Sequence, residues 1–249
     1  LSWRIRLPFY SLSVGFFLLL PACGNNSPPI PSGDVVFPME GWSSSYDPPG
    51  SEAELLEVWA SRLLRGSRES LRFAQARLAE EGKDAAPPIA RALESIVGEG
   101  ALFGAQVNCC AALGATGDRS QGDLLLKVLM NASVPVVRSS AAEGLGALGD
   151  PASALILVSH ARREGEEGPR RAVFRALGQL HGSASGDFLE ERILAWLKRP
   201  LAVPEGETAL NAILLLEDEG AVERLRRLEE HLPGPLKVKA LARRASLGD

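Results

Sequence analysis

One stretch of the chain decides its fold: residues 136–151 read VVRSSAAEGLGALGDP. Alanine, serine and glycine alternate in it with valine and leucine, a pattern that indicates a helix packed very close to its neighbours. Gly149 tolerates the left-handed conformation that ends a helix. Asp150 can then cap the next helix, and Pro151 fits the first turn, where no N–H is needed. The stretch therefore predicts a helix, a tight turn and a second helix.

The same phrase recurs along the chain. ALGATGD, which ends at Asp118, and ALGQLHG, which ends at Gly182, each lie 32 residues from the copy that ends at Asp150. A looser copy ends at Asp218 and a weak one at Asp84. A period of roughly 30 to 40 residues with two helices in each unit is typical of an α-solenoid. We therefore expect an all-α fold.

The central copy resembles the HEAT-repeat family, particularly the short bacterial form named after the phycobilisome lyases. The first helix of that form reads V-R-x-x-A-A-x-x-L-G-x-L-G-D, and this chain supplies nearly all of it between Val137 and Asp150. The resemblance covers about residues 67–249. It implies a solenoid fold, and it says little about function because repeats of this type serve many unrelated tasks.

Hydrophobic periodicity predicts a solenoid domain over residues 51–249. A capping box at 51–54 predicts a first helix that covers the exposed end of the array. A last helix, at about 235–247, is expected to close the array with a polar outer face that contains all four of its basic residues. Between them we expect five helix pairs: 68–81 with 86–97, 103–116 with 120–130, 135–148 with 151–164, 168–181 with 186–198, and 206–217 with 219–231.

Several charged residues at the turns have structural explanations. The turn aspartates could be read as paired catalytic carboxylates, but each is expected to cap a helix. Arg138 and Arg170 lie 32 residues apart and are expected to bond to a neighbouring turn. The aspartates concerned are Asp84, Asp118, Asp150 and Asp218.

The N-terminus has the pattern of a secretory signal peptide. Two arginines precede an apolar run from Leu7 to Leu20, which is shorter than the roughly 20 residues that a helix needs to span a bilayer. The run ends in LPAC at residues 20–23, which resembles a bacterial lipobox. That resemblance implies removal of residues 1–22 and acylation of Cys23, although an ordinary signal peptide with an incidental cysteine is the alternative.

The residues after Cys23 predict a tether and a destination. Residues 23–50 are rich in proline, serine, glycine and asparagine, a composition typical of a linker. Gly24 stands where some enterobacterial lipoproteins carry an aspartate that retains them in the inner membrane. By that analogy we expect a lipoprotein of the cell envelope, in the outer membrane, held by acyl chains on Cys23.

Composition and spacing exclude several kinds of site. Without residues 1–22 the chain has 25 basic and 31 acidic residues, which argues against nucleic acid as a partner. The three histidines fall in different repeats, so no zinc-binding spacing exists. Cys109 and Cys110 are adjacent in a predicted helix, where a disulfide would be strained, and we expect both to act as small apolar residues. We expect no metal, cofactor or small-molecule substrate.

Basic residues recur late in successive second helices of the pairs. They could form a ladder that binds an acidic protein partner or lipid headgroups. The alternative is that they only complement the dipoles of the helix C-termini. The candidate residues are Arg91, Lys127, Arg162, Arg163, Lys198 and Arg226, the last followed by Arg227.

We therefore expect a lipid-anchored scaffold of HEAT repeats that binds another protein and catalyses no reaction. Two alternatives stay open. One is an enzyme or chromophore-handling protein related to the phycobilin lyases, and the other is a transient assembly factor for an envelope complex.

Overall fold

The computed structural model describes residues 52–65, 68–198 and 203–248. The predicted signal peptide, tether, lipid attachment at Cys23 and capping-box Ser51 all lie outside these ranges. The described residues form twelve α-helices and no strand, which confirms the all-α prediction. They are α1 Glu52–Arg65, α2 Arg68–Glu81, α3 Ala86–Glu94, α4 Phe103–Ala115, α5 Gly122–Asn131, α6 Pro135–Leu148, α7 Ala154–Arg163, α8 Glu167–Gln179, α9 Ser183–Lys198, α10 Val203–Ile213, α11 Ala221–Glu229 and α12 Gly234–Ser246.

The helices pack in two rows, as a solenoid of helix pairs requires. α4, α6, α8 and α10 pack one against the next, and α7, α9 and α11 do the same in a second row. The beginning of the array differs from the prediction, because α1 packs against α2, α3 and α4 at once. α1 buries Trp59 and Leu63 there, so it is part of the array's packing and more than a cover for its end.

The last helix also differs from the prediction. Ala240 is its one fully buried side chain, and Arg243 and Arg244 point back into the domain, where they bind Glu217 and Glu229, both at 2.9 Å. Only the two lysines remain on the exposed side. The prediction that all four basic residues lie on the outer face is therefore wrong, because Arg243 and Arg244 point towards the rest of the domain.

The first helices approach one another at backbone distance. A Cβ built on Gly114 would lie 2.6 Å from the Cα of Gly144, a separation that real Cβ atoms do not show. Gly146 meets the Cα of Ala176 at 2.7 Å in the same way, and Gly178 meets the carbonyl oxygen of Ala212 at 2.8 Å. Gly114, Gly146 and Gly178 follow one another at the repeat spacing of 32 residues. The small residues of the repeat phrase are thus required by helix contacts, as the sequence predicted.

Left-handed residues end the first helices of the central pairs. Gly149 closes α6 with φ +64°, and Gly117 follows α4 with φ +68°. His181 occupies the equivalent position in the next repeat with φ +46°, which is unusual for a residue that has a side chain. The turn geometry is therefore kept even where the glycine is not.

Two of the four turn aspartates, Asp118 and Asp150, cap a helix as predicted, whereas Asp218 makes a similar bond within the turn before α11, a helix that has no side-chain cap. Asp118 and Asp150 each accept a hydrogen bond of 3.1 Å from the backbone N–H two residues later, and Asp218 accepts one of 2.9 Å from Gly220. The prediction for Asp84 is wrong, because this residue lies inside a short 3₁₀ turn and α3 has no side-chain cap. The left-handed residue there is Gly82, one position earlier than the repeat phrase implies.

Arg138 ties the turn before its helix pair to the C-terminal end of the same pair. Its Nη1 donates to the carbonyl oxygens of Ala132 and Ser133 at 3.0 and 3.2 Å. Its Nε and Nη2 donate to the two carboxylate oxygens of Glu164 at 2.7 and 3.0 Å. Bidentate pairing of this kind fixes direction as well as distance. The expected bond from Arg138 to a turn is present, together with a second one to the residue that follows α7.

Arg170 repeats the arrangement one repeat later. Its Nη1 donates to the carbonyl oxygen of Glu164 at 2.6 Å, and its Nε and Nη2 donate to the carboxylate of Glu205 at 3.1 and 3.0 Å. Glu164 is therefore bound by Arg138 through its side chain and by Arg170 through its backbone. The two arginines join three successive helix pairs.

Glu164 is the most strongly perturbed carboxylate of the described residues. Its side chain is 4% exposed, and it also accepts a hydrogen bond from the backbone N–H of Glu166 and contacts Nε2 of His160 at 3.2 Å. The hydrogen bonds from Arg138 lower the pKa of Glu164 to about 2. Burial lowers the pKa of His160, which favours the neutral ring. A carboxylate this weakly basic is suited to structure and not to proton transfer at neutral pH.

We predict that Gly114→Ala lowers the free energy of unfolding by about 1 to 3 kcal/mol, because the new methyl group would press on the backbone of α6. Gly104→Ala in the same helix is the matched control, since nothing lies within 4 Å of its Cβ position. Urea unfolding followed by circular dichroism measures both. Equal stability of the two variants would contradict the close contact.

We also predict a stability loss at acid pH that depends on Glu164. Its pKa in the folded protein lies below the ordinary 4.5, so its contribution is complete above that pH and is lost as the pH falls towards 2. The contribution is at most about 3 kcal/mol. Urea midpoints of wild type and Glu164→Gln should differ at pH 7, differ by about half as much or less at pH 3, and converge only near pH 2. The exposed Glu94→Gln should leave the midpoint unchanged at both pH values, and a constant gap for Glu164→Gln would refute the assignment.

Candidate protein-binding face

The second helices of the pairs carry an exposed face that we call the second-helix face, made of the exposed residues of α3, α5, α7, α9 and α11. Its large apolar side chains with the greatest exposure belong to α5 and α7. Leu155 is 68% exposed, Met130 46% and Ile156 42%. Side chains of this size are usually covered in a folded protein when they lie together, so these helices are candidates for a contact surface.

A groove lies between the N-terminal ends of α5 and α7. Its volume is about 270 Å³. Leu126 and Ile156 form its apolar part, and Arg119, Asp123 and Asp150 lie among its polar lining residues. We call it the α5–α7 groove. Apolar side chains beside a few polar groups are the usual composition of a concave binding site.

Capping residues before α5 and α7 form the end of this groove that lies nearest the helix N-termini. Asp118 and Asp150 each cap a short 3₁₀ turn that leads into α5 or α7, so both helices begin at the same level. Desolvation acts against ionisation of Asp118, but hydrogen bonds from the side chain and backbone of Ser120 outweigh it and lower the pKa of this carboxyl. Both carboxylates use their hydrogen-bonding capacity on the helix ends.

Most guanidinium groups of the predicted ladder already have partners. Arg91 pairs with Glu57 on α1. Arg162 binds the carboxylate of Glu191 on α9 through two nitrogens, at 2.6 and 3.2 Å, and lies 5.2 Å from the ring centre of Phe188. These contacts run between neighbouring repeats. They give the two arginines a packing role within the array.

The end of the ladder is paired as well. Arg226 binds Glu223 of its own helix at 2.9 Å. Its neighbour Arg227 binds both carboxylate oxygens of Glu190 on α9 at 2.7 Å, and this hydrogen bonding raises the pKa of Arg227. Ion pairs thus connect α7 with α9 and α9 with α11 across the second-helix face.

Three of the predicted residues keep cationic groups that bind no carboxylate within the described ranges. Arg163 donates only to the carbonyl and hydroxyl oxygens of Ser159, both at 3.3 Å. Lys127 is exposed on α5, between the residues of the α5–α7 groove and Met130. Lys198 is the last residue of α9, a helix that does not line the α5–α7 groove. Of the six candidates, Lys127 follows the groove residue Leu126 directly, whereas Arg163 lies at the far end of α7, and their binding role stays a prediction.

Lys198 lines a larger cavity of about 410 Å³ between α8, α9 and α10. Phe174, Trp196 and Ala209 supply its apolar wall. The carboxylate that lines this cavity belongs to Glu205. It is bound by Arg170 and also by Arg192, whose Nη2 lies 3.1 Å from Oε1 of Glu205. Because these groups neutralise one another, the cavity offers fewer free polar groups than the α5–α7 groove.

The described part of the chain assembles no evident reaction centre. Within residues 52–65, 68–198 and 203–248 no three His, Cys, Asp or Glu side chains come together as a metal site. The free thiols of Cys109 and Cys110 are fully buried, as expected for small apolar residues, and burial raises the pKa of Cys109 to about 12. No helix in the same ranges is long and apolar enough to cross a membrane.

Sequence reasoning concentrated on charge and missed the exposed apolar residues. Residues 155–158 read LILV, four large apolar residues in succession at the start of a helix. A helix of this kind can bury only one face, and here Leu157 is fully buried while Leu155 and Ile156 are exposed. The uninterrupted run was the signal that could have revealed the surface.

Comparisons with known proteins agree with the fold. Residues 104–178 and 123–199 match the family profile of HEAT repeats. No curated protein matches the chain significantly. Among solved structures, the chain is similar to human deoxyhypusine hydroxylase in complex with glycerol, at 15% identity and a TM-score of 0.35, over 78% of this chain and 96% of that one. A likeness this loose carries no argument about activity.

The profile match covers the helices from α4 to α9, and these include the glycine contacts between α4, α6 and α8, both ends of the Arg138–Glu164 pair and the α5–α7 groove. Residues 104–199 of this chain are HEAT repeats.

Proposed function

We propose that this protein is a lipid-anchored HEAT-repeat scaffold of the bacterial cell envelope, which binds another protein through the α5–α7 groove and has no catalytic activity. The observation that carries the proposal is the exposure of Leu155 and Ile156 at the start of α7, where Ile156 lines the α5–α7 groove, with the exposed Met130 one turn beyond the groove residue Leu126 on α5. HEAT repeats supply the scaffold. The partner and the anchor are the proposed parts.

Energetics favours a protein partner at this surface. Fully burying a leucine, isoleucine or methionine side chain stabilises a complex by about 1.5 to 3 kcal/mol, and three such residues form a sufficient apolar centre. Lys127, which follows the groove residue Leu126, can add polar contacts at the rim, where charges set the rate of association and the choice of partner. Arginines elsewhere on the second-helix face are paired with glutamates, whereas α5 and α7 carry its most exposed large apolar side chains.

The anchor rests on the sequence. The lipobox-like residues 20–23 support acylation of Cys23, and the linker composition up to residue 50 supports a tethered domain. Acyl chains contribute about 0.8 kcal/mol for each buried CH₂, so two or more chains hold a protein stably at a bilayer. Gly24 after the cysteine favours the outer membrane as the destination.

We predict that Leu155→Glu abolishes partner capture at the groove. A photo-reactive amino acid at Met130 should give a discrete crosslinked adduct in cells, and a charge at position 155 should reduce its yield at least tenfold, because burying an unpaired carboxylate opposes binding. Leu215→Glu is the matched control, since Leu215 is 53% exposed in the turn after α10. Circular dichroism confirms folding of both variants. An adduct of unchanged yield in Leu155→Glu refutes this binding site.

We also predict that Cys23→Ala removes membrane attachment. Wild type from native membranes should partition into the detergent phase of Triton X-114 and carry acyl mass at Cys23, whereas the variant should carry none. Intact-mass analysis measures the modification directly. If the wild type is unmodified and partitions into the aqueous phase, the lipoprotein assignment is wrong.

A further inference from the structure

The outer side of the last helix is apolar in its centre. Val238 is 64% exposed and Leu241 38% exposed, and Ala242 and Ala245 are exposed as well. These positions follow one another at i, i+3, i+4 and i+7, so they form one stripe along α12. The buried Ala240 lies on the opposite side. Terminal helices of solenoids normally have a polar, solvent-exposed outer face, and the centre of that face is apolar in α12.

Two lysines flank this stripe. Lys237 and Lys239 are exposed, and neither has a partner among the described residues, whereas Arg243 and Arg244 are held inside by Glu217 and Glu229. Residues 234–246 contain four basic residues and no acidic one, in a chain whose net charge is −4. The exposed side of α12 is therefore apolar and cationic.

We propose that this side of α12 rests on an anionic lipid surface, with Val238 and Leu241 at the level of the headgroups and the two lysines on lipid phosphates. The proposal rests on the lipid anchor described under the proposed function. A basic amphipathic helix that lies in the interface is a known way for proteins to contact membranes, and each lysine near an anionic surface strengthens the contact.

The composition of the stripe favours lipid over a protein partner. Protein interfaces depend on a few aromatic or arginine side chains that enter pockets. The outer side of α12 has neither, and its alanines leave a smooth surface that a fluid headgroup region can cover. Such a short stripe binds weakly by itself, but acyl chains on the same protein would raise the local lipid concentration and make a weak contact sufficient.

Chain length permits the contact. The segment between Cys23 and Glu52 has a contour length of roughly 95 Å. Stacked helix pairs advance by about 10 Å each. The anchored end can therefore be attached to a bilayer while α12 touches it.

The test uses the acylated full-length protein with Ala242→Cys, labelled at that cysteine with a fluorophore. Cys109 and Cys110 are fully buried, so labelling is confined to position 242 when Cys23 is acylated. The labelled protein is incorporated into vesicles of phosphatidylglycerol or of phosphatidylcholine that contain nitroxide-labelled headgroups, and fluorescence quenching is measured after flotation.

We expect strong quenching in phosphatidylglycerol, and partitioning of α12 weakened at least tenfold in phosphatidylcholine and in the variant Lys237→Glu with Lys239→Glu. The pair Arg65→Glu with Arg72→Glu, at exposed positions of α1 and α2, changes the net charge equally and should leave quenching unchanged.

Absence of quenching in floated phosphatidylglycerol vesicles overturns the proposal, as does equal loss of quenching in both double variants. In a second arm, a photo-reactive amino acid replaces Ala242 in cells, and a crosslinked acidic protein together with absent quenching in vesicles overturns the proposal in favour of a protein partner. Protein that does not float shows that the anchor itself is absent, which is a separate failure.

Discussion

The contact between the backbones of neighbouring first helices determines the rest of the structure. Where Gly114 faces Gly144, Gly146 faces Ala176 and Gly178 faces Ala212, no side chain separates the helices, so each helix has little freedom to slide or rotate on the next. That fixed offset brings Arg138 within reach of Glu164, and Arg170 within reach of Glu205. The bidentate pairs then hold the turns of successive repeats together. The glycines allow neighbouring first helices to approach at backbone distance, and the arginines fix how the turns of successive repeats align.

Much of this architecture could be predicted from the sequence because its causes are local. The phrase from Val137 to Asp150 contains the packing residues, the left-handed glycine and the capping aspartate of one unit, and its recurrence at 32 residues gives the period. The burial of Cys109 and Cys110 follows from the same alignment. Asp84 was misplaced because the turn there is shifted by one residue, to Gly82, and such a shift is hard to see in a weak copy of the phrase.

The candidate surface was less predictable because it depends on which residues meet across repeats. The arginines of the ladder were visible in the sequence, but their partners Glu57, Glu190 and Glu191 lie 29 to 37 residues away, at distances in the chain that the period alone does not fix. Similarly, the inward turn of Arg243 and Arg244 depends on glutamates placed by α10 and α11. Once these pairs are known, the unpaired and apolar positions on α5, α7 and α12 become apparent.

The glycine contacts have a mechanical consequence. They occur at three successive interfaces, from α4 to α10, and the groove between α5 and α7 belongs to the repeats that they join. In a one-dimensional array each repeat is stabilised only by its neighbours, so interior repeats with backbone contact on both sides open last, and terminal helices such as α12 fray first. A partner bound at the groove would therefore contact the repeats that are most resistant to local unfolding. Force applied between such a partner and the N-terminal side of the domain would disturb the α1–α3 end before it distorted the α5–α7 groove.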